Sequence, residues 1–106
     1  MNKDRRATIQ VCIELIRECA EIGEMSEASH TALGNALQQM VAGEYWSLRN
    51  MSKHEGKNES TDQQIAIAKV ALPALEGAVQ ALAEEDYDKV LRLLRRAVKE
   101  DDRSKK

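Results

Sequence analysis

From Ala7 to Glu24 the apolar residues Ile9, Cys12, Ile13, Ile16, Cys19 and Ala20 recur at three- and four-residue intervals, and Val11, Leu15 and Ile22 widen the stripe. That spacing lines one face of an α-helix, so it predicts an amphipathic helix with a broad buried side. Gly23 supplies a stop and Ser26 a fresh N-cap, which separates this helix from a second one. The second ladder reads Ala28, Ala32, Leu33, Ala36, Leu37, Met40, Val41, Tyr45 and Leu48, with small residues that permit close helix approach. Gly34 and Gly43 cost this helix about 1 kcal/mol each relative to Ala, which points to close packing or a kink.

The pattern fails from about Asn50 to Glu59, where the chain carries almost nothing but polar and charged residues, and a polar loop is expected there. Ser60 followed by Gln63 has capping-box form and predicts the start of a third helix. Its ladder of Ile65, Ala68, Leu72, Leu75, Val79 and Leu82 advances by 3, 4, 3, 4 and 3 residues. Pro73 lies inside this run, lacks an amide proton and predicts a bend near Lys69 to Pro73, with the helix continuing beyond it. An acidic corner, Glu84 to Asp86, leads into a fourth helix that places Tyr87, Val90, Leu91, Leu94, Ala97 and Val98 on one side. Arg95, Arg96 and Lys99 near its end complement the helix dipole, and the charged tail from about 100 to 106 is expected to fray. The fold class is therefore all-α: a small antiparallel bundle of about four amphipathic helices in one domain spanning residues 1–106.

Composition narrows this picture. One Pro and five Gly in 106 residues leave too little turn chemistry for a sandwich or barrel. One Trp, two Tyr and no Phe require an aliphatic core. No run of about 18 uncharged apolar residues occurs, and the opening residues pass straight into an amphipathic pattern, so the expectation is a cytoplasmic protein without a membrane segment. A domain this small buries only about 60 to 65% of its unfolded surface, so self-association would help it, and a homo-oligomer is expected.

Charge is unevenly placed. Between Ala7 and Leu48 one basic residue, Arg17, stands against six acidic ones, whereas from Lys89 to Lys106 eight basic residues stand against three acidic ones. Arg92, Arg95, Arg96, Lys99 and Arg103 form a basic stripe opposite Val90, Leu94 and Ala97, suited to an acidic partner, to phosphates or to the acidic half of another copy. Tyr45 and Trp46 at the end of the second helix are further partner-binding candidates as aromatic anchors, Trp46 falling off the main ladder. Cys12 and Cys19, seven residues apart on one helix, lie about 10 Å apart and cannot form a disulfide with each other. His30 and His54 sit on other elements, and the glutamates Glu14, Glu18 and Glu21 lack a matching acidic helix, so neither a metal nor another cofactor is expected.

Three resemblances add to these readings. The segment Leu48-Arg49-Asn50-Met51-Ser52-Lys53-His54 resembles the Arg-Asn-x-x-x-His motif of HEPN-domain ribonucleases, although a polar run follows His54 where that family continues as helix. It implies metal-independent RNA cleavage across a dimer interface, with His54 moving protons, Arg49 stabilising phosphate charge and Asn50 in support. Asp86-Tyr87-Asp88-Lys89-Val90 with Leu94, Ala97 and Val98 resembles the second helix of a tetratricopeptide repeat, but a single unit makes only a helical hairpin. The opening residues, the Glu44-Tyr45 helix end, the polar connector and Ala71-Leu72-Pro73-Ala74-Leu75-Glu76 are similar to small helical hairpin proteins of phages and prophages. That likeness implies a bacterial setting and a role by binding, including inhibition of a host defence or regulatory complex.

The leading expectation is a non-enzymatic interaction module that binds a protein, of the host or a second copy of itself, through Arg92, Arg95, Arg96, Lys99, Tyr45 and Trp46. The alternatives are a HEPN-like ribonuclease or toxin using Arg49, Asn50 and His54, and a small nucleic-acid-binding regulator. The last is least favoured, because the chain is acidic overall and lacks a helix-turn-helix pattern.

Overall fold

A computed structural model describes residues 3–103, the side chain of Arg103 excepted. It contains four α-helices, α1 (Lys3–Ile22), α2 (Glu27–Ser52), α3 (Glu59–Ala83) and α4 (Tyr87–Arg103), and no strand among the described residues. Each helix packs on the next, and α1 closes the ring against α4, so that α2 and α4 occupy opposite corners. The helices alternate in direction. Arg5 at the start of α1 meets Glu44 late in α2, and Gly34 early in α2 meets Leu82 late in α3.

Most helix boundaries follow from the expected signals. Gly23 adopts φ +92°, a left-handed conformation that glycine takes without strain, and its amide closes the end of α1 on the Cys19 carbonyl. Ser26 caps α2 by accepting the Ser29 amide at 3.1 Å. The start of α3 differs from the capping box expected at Ser60. Asn58 holds the extended backbone of an N-cap, and its Oδ1 accepts the Thr61 amide at 2.7 Å, which leaves Ser60 within the first turn. Asp62 then takes the Gly56 amide at 2.8 Å and ties the loop to the helix it precedes. The expected loop thereby shortens, since α2 runs on through Asn50 and Met51 to Ser52. Pro73 lies on an exposed position of α3, and the helix continues on both sides of it.

α3 forms the centre of the packing. Ala71, Ala74, Ala78 and Ala81 are buried along it, and these small side chains let α2 and α4 approach closely. A Cβ added at Gly77 would sit 3.1 Å from Leu93 of α4. Among the described helices α3 is also the one long and apolar enough to cross a membrane by length and composition, with half of its apolar window buried inside the fold. α1 buries Ile9, Cys12, Ile13 and Ile16 and approaches its neighbours less closely than α2 and α4 approach α3.

Fraying was expected from Glu100, yet α4 continues to Arg103. The physical reason is Asp101, only 1% exposed, whose Oδ2 accepts from Arg6 Nη1 at 3.0 Å. Residues 104–106 lie outside the described part of the chain.

Candidate functional site

The core side of α2 is set by Leu33, Leu37, Met40 and Glu44, at steps of 4, 3 and 4 residues. Tyr45 and Trp46 follow Glu44 by one and two residues, and each helical residue turns the side chain by about 100°, so both aromatics face away from the core. Tyr45 is 60% exposed and Trp46 69%, which corrects the placing of Tyr45 in the buried ladder. They line an open groove of about 450 Å³ between α2 and α3, completed by Gln38, Val41, Ala42, Arg49, Glu76 and Val79. Its surface is mainly apolar, with one cation and one anion.

The basic residues lie elsewhere. Arg92, Arg95, Arg96 and Lys99 are exposed on α4. Arg95 and Lys99 border a depression with Arg17 and Gln10 at the α1–α4 seam. Arg96 borders another with Lys69 and Pro73 at the α3–α4 seam. The six residues assigned to one partner surface therefore divide into an aromatic groove on α2 and α3 and a basic face centred on α4.

The Arg49–His54 segment is split by the end of α2. Arg49 is exposed on the helix, Asn50 is half-buried, and His54 is exposed in the following turn, its amide bonded to the Met51 carbonyl. No hydrogen bond or ion pair joins Arg49 to His54 among the described residues. Among those residues, no group of three or more His, Cys, Asp or Glu could hold a metal ion.

Sequence reasoning missed two buried carboxylates and their partners. Glu44 is 2% exposed, and its Oε1 accepts from Arg5 Nε at 2.7 Å while Arg5 Nη2 donates to Ser47 Oγ at 2.9 Å. The next residue, Arg6, reaches Asp101 and Asp102 of α4. The hydrogen bond to Asp102 is the largest cause holding the Arg6 guanidinium above its ordinary pKa. Consecutive arginines thus pin the start of α1 to the ends of α2 and α4. Gly43 makes room for this, since a Cβ there would lie 2.9 Å from Arg5 Nη1.

At the opposite end of the bundle, His30 Nδ1 and Tyr87 OH are 2.9 Å apart, with their rings edge-on. Burial pushes the Tyr87 phenol up, helped by the negative charge of Glu85, and burial alone raises the Cys12 thiol. A depression beside Tyr87 is lined by Cys19, Glu24, Met25, Glu85, Asp86 and Asp88.

Comparison of the chain with protein-family models, with curated proteins and with solved structures finds no match.

Proposed function

We propose that the protein acts by binding, as a helical interaction module whose working surface is the groove between α2 and α3. The observation that carries this reading is the pair of large aromatic side chains, Tyr45 and Trp46, standing 60% and 69% exposed beside an open, mainly apolar groove. Leaving such groups in water gives the fold nothing, whereas aromatic side chains that enter a partner's pocket dominate interface energetics. The basic face of α4 serves as a second surface that steers acidic partners toward the molecule. Inhibition of a bacterial host complex, the role implied by the phage likeness, belongs to this same reading.

Its test is capture of partners from a bacterial lysate by three proteins: wild type, the Tyr45→Ala/Trp46→Ala variant, and the Arg92→Glu/Arg95→Glu/Arg96→Glu variant. With helical circular dichroism retained, the aromatic variant is expected to lose the captured protein, and the charge-reversed variant to capture it more slowly. Unchanged capture by the aromatic variant overturns the assignment. Incubating wild type and His54→Ala with labelled RNA in chelator tests the ribonuclease alternative, which requires cleavage by the first and none by the second.

A further inference from the structure

We infer that the groove between α2 and α3 takes a second copy of this chain, related by a two-fold axis that passes close to Tyr45. This rests on the groove being an interaction surface and adds the identity of its occupant.

The argument starts from the two charges in the lining. Leu82 of α3 lies beside Gly34 of α2, 3.5 Å from where a Cβ there would sit. The two helices are antiparallel, so Glu76, six residues before Leu82, is level with Met40, six residues after Gly34. Arg49 lies nine residues further along α2, about 13 Å away at the rise of an α-helix. The groove therefore carries its anion at one end and its cation at the other, with Tyr45 and Trp46 between them.

A two-fold axis lying in the plane of contact, perpendicular to the line from Arg49 to Glu76, exchanges these two ends. Each Arg49 then meets the Glu76 of the other copy, and the aromatic pairs meet near the axis, where each fills apolar space in the opposing groove. Contacts of this kind are isologous and need a self-complementary patch. One cation and one anion at opposite ends satisfy that requirement, and a single-sign lining would not. The resulting surface has aromatics at its centre and charges at its rim, the arrangement found in stable interfaces. Size permits it as well: with extents of 49 × 25 × 20 Å, the long faces can supply the roughly 800 Å² per partner of a standard interface.

Sedimentation velocity over a range of concentrations tests the inference with wild type, Arg49→Glu, Glu76→Arg, the double reversal and Trp46→Ala. All three positions are exposed, and circular dichroism verifies that each variant remains helical. Wild type is expected to form a reversible dimer. Each single reversal, which sets like charges against each other, should weaken it by about tenfold or more, and the double reversal should restore it. Trp46→Ala should leave monomer. A wild type that stays monomeric to about 1 mM overturns the inference, as does a dimer indifferent to both single reversals. If wild type is monomeric while Trp46→Ala still abolishes capture of another protein, the interaction surface stands and its occupant is not a second copy. If Trp46→Ala changes neither, both readings fall.

Discussion

At the scale of single residues, the most consequential feature is the pair of buried carboxylates answered by consecutive arginines. Glu44 and Asp101 end two similar ladders, Leu33-Leu37-Met40-Glu44 and Val90-Leu94-Ala97-Asp101, so each acid occupies a position whose register belongs to the core. That much was present in the sequence, although tracing apolar residues alone passed over it, because steps of 4, 3 and 4 place the acids where an apolar residue is expected. Their partners were not legible there, since Arg5 is 39 residues from Glu44 and Arg6 is 95 from Asp101, and periodicity carries no information across that separation. Arg5→Ala should lower the unfolding free energy in urea by about 2 to 3 kcal/mol, below the usual cost of breaking a fully buried pair because Arg5 itself is partly exposed. Replacing both partners, Arg5→Met with Glu44→Leu, should recover most of that loss. A second prediction concerns alkaline pH. The Cys12 thiol and the Tyr87 phenol are raised in the folded chain above their ordinary values of 9.0 and 10.0, so the unfolded chain loses those protons first. The stability they contribute is complete below pH 9 and declines as pH rises through the folded values. Melting temperatures of wild type and Cys12→Ala measured from pH 8 to 11 should converge as the pH rises, because the variant lacks the thiol's share of the decline. Parallel curves would contradict this.

At the scale of elements, the number and type of helices were readable from spacing alone, whereas several boundaries were not. Ser60 and Gln63 match a capping box, yet Asn58 takes the cap, because its extended backbone and its bond to Thr61 start the helix earlier. The misreading arises from two competing caps two residues apart in a polar stretch, where no apolar residue fixes the register. Asn58→Ala should destabilise the protein by about 1 kcal/mol, and Ser60→Ala should fall within about 0.5 kcal/mol of wild type, both by chemical denaturation. The tail of α4 teaches a related point. Its charges suggested fraying, but a single buried Asp101 bound by Arg6 carries the helix on to Arg103. The helices also differ in how firmly they are held. α3 buries nine residues and α1 four, so hydrogen exchange should be slowest in the amides of α3 between Ala71 and Leu82 and faster throughout α1. Protection in α1 equal to that in α3 would show the arginine contacts to be stronger than its packing suggests.

At the scale of the whole molecule, the arrangement of helices decides which surfaces exist. Tyr45, Trp46 and the basic stripe could be identified in the sequence, and their separation could not. It follows from α2 and α4 standing at opposite corners of the ring, a consequence of three short connections and of α1 closing against α4. The groove was hidden for the same reason: Arg49 and Glu76 belong to different helices and share a surface only when α2 and α3 pack. Its two aromatics divide the signal further, because Trp46 was expected off the ladder and Tyr45 on it, whereas the turn after Glu44 sends both outward. The direct measurement is acrylamide quenching of Trp46, the single tryptophan of the chain, across a dilution series. Strong quenching in dilute protein and marked protection in concentrated protein, with protection lost in Arg49→Glu, is the result expected if the groove is where copies of the chain meet. Equal quenching at every concentration, or a Trp46 already shielded at the lowest, would contradict it.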